Sequence, residues 1–219
     1  MRIGVLGAGN MADALATQWA RKGHEVRFGA RTPAKAVALA ERTGHGAAGG
    51  TLREAAEFGD VVLLAVWYDG VQDVLREAGP LGGRVLIDCT NPMEPPFETL
   101  KTDGGPSAAL RIADASGGAR VVKAFNLCHE SVWRMTPPAF GGRPLGVPLC
   151  GDDAEALAVV RELVADLGCV PMDGGGLARA GLLEAATAFM VGLWFAGEDP
   201  AAMIPPPEYS GGAPQLTSQ

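Results

Sequence analysis

Three small residues near the start of the chain are spaced for phosphate chemistry. Gly7-Ala8-Gly9-Asn10-Met11-Ala12 reads Gly-x-Gly-x-x-Ala. Gly7 permits a tight turn, Gly9 lets the backbone approach a pyrophosphate, and Ala12 lets a helix lie close on a strand. The N–H groups of Asn10 and Met11 then open a helix whose dipole favours an anion. At the end of the following strand, a carboxylate would bind a ribose 2′-hydroxyl. This chain has Arg31 there, with Thr32 beside it and Lys35 a turn further. A guanidinium, a hydroxyl and an ammonium at one helix start make a site for a 2′-phosphate dianion. The expected dinucleotide is therefore NADP(H), not NAD(H).

A second group lies later in the chain. Val121-Val122-Lys123-Ala124-Phe125-Asn126 runs off a strand and is followed by His129. Two readings are open for Lys123: a proton donor to a reduced substrate, or a structural partner of a carboxylate inside the strand. Asn126, at the strand end, suits orientation of a carboxamide or a substrate. His129 is one of three histidines and reads either as a site residue or as polar surface. In an open parallel sheet, ligands lie beyond the carboxyl ends of the strands. Ala65, Val66, Trp67 and Tyr68 after one strand, and Thr90 and Asn91 after another, therefore face the cofactor; Asn91-Pro92 also reads as a plain turn. Trp67, Tyr68 and Phe125 are either an aromatic wall for an acceptor ring or core.

These residues need a strand–helix alternation to position them, and the hydrophobic pattern supplies one. Strands are expected over Ile3–Leu6, 25–29, 46–50, 61–66, 84–88, 119–124, 145–149 and 169–172. Helices are expected over 10–22, from Pro33 to near Gly44 with Thr32 as its cap, over 51–58 with a Thr51/Glu54 capping box, from Val71, and over 107–116. A further helix opens after Gly151 with an Asp cap and Glu155 at its third position. The last helix, 177–196, is apolar almost all round, which implies burial on several sides and cover from a second subunit. Stretches 93–105 and 134–144 read as Pro/Gly loops. The expected organisation is a dinucleotide-binding domain over 1–144, an extension over 145–198 and an arm or tail over 199–219.

Composition narrows the function. The net charge of −7 and the lack of a basic run argue against nucleic acid. Met1-Arg2-Ile3 enters a strand at once, so no signal peptide is expected. The longest apolar run, between Glu184 and Glu198, is short for a bilayer, so no membrane partner is expected. The four cysteines have no Cys-x-x-Cys or zinc spacing. Free thiols, no metal and a cytoplasmic location follow.

Five motifs recur in this order and spacing: the glycine turn, Gly29-Ala30-Arg31-Thr32-Pro33, Asp88-Cys89-Thr90-Asn91-Pro92, Val121–Asn126, and Gly151-Asp152-Asp153-Ala154-Glu155. With Asp173-Gly174-Gly175-Gly176-Leu177 and Leu182-Leu183-Glu184, the series resembles the NADP oxidoreductase, coenzyme F420-dependent family over residues 1 to 197. The resemblance implies a Rossmann-type, doubly wound, mostly parallel sheet with a smaller C-terminal strand-helix-strand-helix extension. It implies hydride transfer between NADP(H) and a small-molecule acceptor, a deazaflavin (F420) or a flavin. The cytoplasmic domain of membrane ferric reductases is similar. It also implies a homodimer whose C-terminal helix helps build the acceptor pocket. Trp67 stands where that family has Pro, and Leu127 where it has Thr, so a narrower acceptor pocket is expected. The alternatives are an NADPH-dependent reductase of a small carbonyl or imine, and a non-catalytic NADP-binding sensor.

Overall fold

The computed structural model describes residues 1–97 and 99–204. In chain order the elements are β1 (Arg2–Leu6), α1 (Asn10–Arg21), β2 (Glu25–Gly29), α2 (Pro33–Thr43), β3 (Ala48–Gly50), α3 (Leu52–Phe58) and β4 (Val61–Leu64). Then come α4 (Val71–Ala78), β5 (Val85–Asp88), α5 (Ala108–Ala115), β6 (Arg120–Lys123) and α6 (Glu130–Trp133). A small hairpin of β7 (Ala139–Phe140) and β8 (Arg143–Pro144) leads to β9 (Gly146–Gly151), α7 (Ala154–Asp166), β10 (Val170–Asp173) and α8 (Ala180–Phe195).

The main sheet has the order β3-β2-β1-β4-β5-β6-β9-β10. Its pairs are parallel except β6 with β9. This is the doubly wound arrangement, and the strand order reverses between β1 and β4, where such sheets open a crevice. The strands read as continuous apolar runs because both faces are covered. Trp19, Leu39 and Leu163 of α1, α2 and α7 pack on one face, while Leu52, Val74 and Ile112 of α3, α4 and α5 pack on the other. Strands β9 and β10 of the 145–198 stretch extend this same sheet. β9 runs antiparallel because the path from β6 holds only the four-residue α6 and the hairpin, with no crossover helix to turn the chain back. Residues 205–219 of the expected arm lie outside the described residues.

Local chemistry accounts for most of the boundaries. The Thr51 side chain accepts from the Glu54 N–H at 3.2 Å while Glu54 accepts from the Thr51 N–H at 2.7 Å, a complete capping box. Four expectations need correction. Asp153, not Asp152, caps α7, which puts Glu155 in the second helical position; Asp152 accepts from Leu177 N–H instead. Thr32 occupies the cap position of α2, but its side chain caps nothing. The 134–144 stretch holds the hairpin, because Gly141 and Gly142 both take positive φ, 57° and 76°, as a two-residue hairpin turn requires. The final helix begins with a 3-10 turn, Leu177–Arg179, and its burial is one-sided. Leu182, Phe189, Trp194 and Phe195 are exposed. The span Leu177–Phe195 is long and apolar enough, by length and composition, to cross a membrane. Its other face, however, is committed to the domain.

That commitment is ionic. Lys123 Nζ reaches Asp88 Oδ2 at 2.9 Å, Glu184 Oε1 at 3.0 Å and the Thr90 carbonyl at 2.6 Å. All three charged side chains are fully buried. Glu184 also accepts from Ala108 and Ala109 N–H at the start of α5, at 2.9 and 3.1 Å. The structural alternative for Lys123 is thus the one realised. Lys123→Met leaves two buried carboxylates without their cation and should cost about 3–5 kcal/mol. Urea denaturation measures this, and a loss under about 1 kcal/mol would contradict the account.

Candidate functional site

A cleft of about 890 Å³ follows the carboxyl edge of the sheet. The turn between β1 and α1 lies along it, between the end of β2 and that of β4. Gly7 has φ +135°, and a Cβ there would meet the Ala65 carbonyl oxygen at 2.2 Å, so the fold itself demands glycine. Gly9 is different. Its φ of −94° suits any residue, and a Cβ would meet nothing within 4 Å. The space its missing side chain leaves opens onto the cleft, at the N-terminus of a twelve-residue helix that no side chain caps. Gly7, Ala8, Gly9, Asn10 and Met11 line the cleft; Ala12 does not, being buried where α1 meets the sheet. The Asn10 amide donates to Glu130 Oε1 at 3.1 Å and Arg134 pairs with Asp13 at 2.8 Å, so α6 is clamped beside the start of α1.

The start of α2 forms the adjoining wall. Arg31, Thr32 and Lys35 are exposed and line the cleft. Among the described residues neither Arg31 nor Lys35 belongs to an ion pair. The Thr32 hydroxyl, not spent on capping, joins them. Two cationic groups, a hydroxyl and an uncapped helix start form a receptor for a phosphate dianion.

On the side of the β1–α1 turn away from α2, the cleft is lined by Ala65, Val66, Trp67 and Tyr68 after β4, Thr90 and Asn91 after β5, and Phe125, Asn126 and His129 after β6. Trp67 is 88% exposed and stands at the lip. Phe125 touches the cleft, but its ring is packed edge-on between Trp19 and Trp133, with centroids 5.8 and 5.3 Å away. Its φ of +63° turns the chain sharply just before Asn126. Thr90 donates its N–H and its hydroxyl to Asp88 Oδ1 at 2.8 and 2.7 Å. Asn91 donates to the Asn126 carbonyl at 2.8 Å, and Asn126 donates back to Asn91 Oδ1 at 3.0 Å. Asn126 Oδ1 is buried and has no donor. His129 caps α6 and contacts Glu130 at 2.7 Å on the outer rim.

Lys123 does not line the cleft. Burial alone would lower the pKa of its ammonium, but the Asp88 and Glu184 carboxylates override that and hold it above the ordinary lysine value. Burial pushes the Cys89 thiol, on the cleft floor, up to about 12, so it is no thiolate nucleophile. The sequence reading did not anticipate Glu184, Thr187 or the cleft positions of Met93, Asp69 and Glu130. One signal for Glu184 was present: it is the single charged residue of α8.

The two glycines separate fold from ligand. Gly7→Ala should cost about 2–5 kcal/mol from strain and overlap, while Gly9→Ala should stay within about 1 kcal/mol of wild type. Thermal unfolding of both variants checks this; equal losses would refute it.

Residues 2–92 match the model of a family described as NADP oxidoreductase, coenzyme F420-dependent. The F420-dependent NADP reductase of Methanothermobacter marburgensis is 30% identical over 213 residues, 88% of this chain and 92% of that protein. The metalloreductase STEAP3 of Rattus norvegicus is 31% identical over 198 residues, but the chain spans only 38% of its length. Among solved structures, a putative F420-dependent NADP-reductase from an Arthrobacter species superposes with a TM-score of 0.79 at 28% identity, covering 90% of this chain and 96% of that one. A reductive aminase from Aspergillus terreus, in complex with NADPH and ethyl-5-oxohexanoate, superposes at 0.66 and 26% identity, covering 90% and 63%.

Proposed function

The chain belongs to the family of coenzyme F420-dependent NADP oxidoreductases, and from that premise we propose that it transfers hydride between NADP(H) and a flavin-like acceptor, a deazaflavin (F420) or a flavin. One observation carries the cofactor half. A single cleft joins the open Gly9 turn, the Arg31–Thr32–Lys35 cluster and the Asn91–Asn126 pair. Along NADP(H) the 2′-phosphate, the pyrophosphate and the carboxamide follow one another in that order, and the sheet offers the Arg31 cluster after β2, the Gly9 turn after β1 and the asparagine pair after β5 and β6 in the same order. In this reading the gap at Gly9 and the N–H groups of Asn10 and Met11 take the pyrophosphate. Arg31, Thr32 and Lys35 take the 2′-phosphate. Ala65, Val66, Thr90 and Asn91 border the nicotinamide, with Asn126 orienting it.

NADPH, when bound, supplies the hydride. The chain's task is then to hold two flat rings face to face and keep water out. Trp67 and Tyr68 at the lip, beside the start of the Met93 loop, suit that task. No acid–base group is needed, in keeping with the sequestered Lys123. A Trp67 ring folded over the lip would narrow the acceptor end. The likeness to a reductive aminase supports a second reading, an NADPH-dependent reductase of a small carbonyl or imine; Tyr68 and His129, which line the cleft on the nicotinamide side, are then candidates to hold a proton. Screening NADPH oxidation against F420, flavins, aldehydes and imines separates the two. Turnover with F420 or a flavin supports the first reading; turnover confined to carbonyls or imines replaces it with the second. Arg31→Ala should weaken NADPH about ten- to a hundredfold and leave NADH within a few-fold. Equal NADH and NADPH affinities in the wild type would sink the assignment.

A cytoplasmic homodimer belongs to the same reading. The exposed Leu182, Phe189, Trp194 and Phe195 of α8 favour a second copy as their cover. Light scattering at micromolar concentration should give twice the chain mass, and Phe189→Glu should halve it. A wild-type monomer would overturn this.

A further inference from the structure

Behind the acceptor end of the cleft, α8 turns two polar side chains inward. Glu184 and Thr187 are three residues apart, so they share a helix face, and both are buried. Glu184 serves the ion cluster. Thr187 serves something else: its Oγ1 lies 3.0 Å from Asn126 Nδ2. We propose that Thr187 is a positioning residue that holds the Asn126 amide as a hydrogen-bond acceptor for the carboxamide of the nicotinamide, an inference that rests on the NADP(H) reading above.

The direction of each hydrogen bond follows from a chain of donors. Thr187 donates its one hydroxyl proton to the Leu183 carbonyl at 2.8 Å. Towards Asn126 it can then only accept, so the atom facing it must be the amide nitrogen. The second hydrogen of that nitrogen goes to Asn91 Oδ1, 3.0 Å away. Asn91 is itself oriented, because its nitrogen donates to the Asn126 backbone carbonyl at 2.8 Å. A flipped Asn126 would set its oxygen against two acceptors. Both amide hydrogens are therefore spent inside the protein, and Asn126 Oδ1 is left as a buried acceptor with no donor. An unmet acceptor of this kind costs free energy until a donor arrives. Asn91 and Asn126 both line the cleft. A primary carboxamide supplies the missing N–H donors and is planar, so pairing with Asn126 also sets the angle of the ring attached to it. Thr187 touches neither cofactor nor acceptor in this scheme. It acts by denying Asn126 the alternative rotamer.

The test compares two ligands. NADPH carries the carboxamide; 2′,5′-ADP keeps the phosphates and lacks the nicotinamide half. Affinities for both are measured by titration calorimetry on wild type, Thr187→Val, Thr187→Ser and Asn126→Ala. Thr187→Val should weaken NADPH about tenfold, the loss of one hydrogen bond, and leave 2′,5′-ADP unchanged. Thr187→Ser, which keeps the hydroxyl, should return NADPH to within about twofold of wild type. Adding Thr187→Val to Asn126→Ala should cost nothing more, since both act through one amide. If the valine variant does not fold, Thr187→Ala replaces it with the same expectations. Unchanged NADPH affinity, or equal loss of both ligands, overturns the positioning role while leaving the NADP(H) reading intact. A wild type that binds neither ligand removes that reading as well.

Discussion

An ammonium with no water around it must be neutralised by its neighbours, and Lys123 is neutralised from two sides of the sheet edge. Desolvating it and two carboxylates costs several kcal/mol per ion. Such a cluster persists only when every polar atom is answered. Here each ammonium hydrogen has an acceptor, in Asp88, Glu184 and the Thr90 carbonyl. The surplus negative charge is met by N–H groups: those of Ala108 and Ala109 for Glu184, and that of Thr90 for Asp88. The positive end of the α5 dipole adds to this. The cluster therefore joins β5, β6, α5 and α8 at one point. An apolar core at the same place would hold them together without dictating the register of α8 on the sheet.

That register decides what the cleft contains. The ends of β5 and β6 deliver Asn91 and Asn126, and α8 delivers Thr187 against them. A slip of α8 by one residue would remove both Glu184 and Thr187 from their partners. The other end of the cleft needs none of this. Its glycine turn and the start of α2 are built from β1, α1 and β2, within the first stretch of chain. The cleft thus has one part built from neighbouring segments, at the glycine turn and the start of α2, and another assembled from distant ones.

The same division governs what could be read from the sequence. The glycine turn, the Thr51–Glu54 capping box and the Arg31 cluster are short-range, so residue types and spacing carry them. The doubly wound sheet follows from alternation of short apolar runs with helical ones. Lys123 and Glu184 lie 61 positions apart, and no local pattern links them. Asp152 and Asp153 look interchangeable as caps; only the path of the Leu177 segment assigns one to α7 and the other to the next turn. Thr32 offers the composition of a cap, yet its side chain is left free beside Arg31. The antiparallel β9 depends on the length of the connection before it, which reads as a loop until the Gly141-Gly142 turn closes a hairpin.

The two faces of α8 bring these threads together. Its inner face is polar where it matters, at Glu184 and Thr187, while Leu182 and Phe189 point outward and Trp194 and Phe195 are exposed at its last turn. A surface of that kind is stable in water only when covered, and Phe195 already has one partial cover in Phe97, 4.8 Å between ring centroids. The loop carrying Phe97 is tied back to the cleft lip by Lys101, which bridges Asp69 at 2.7 Å and Glu94 at 2.9 Å. The lip, the loop, the outer face of α8 and the Asn126 amide are therefore linked through packed or ionic contacts. The chain positions that would meet a second copy in the proposed dimer and those that hold Asn126 thus belong to one helix.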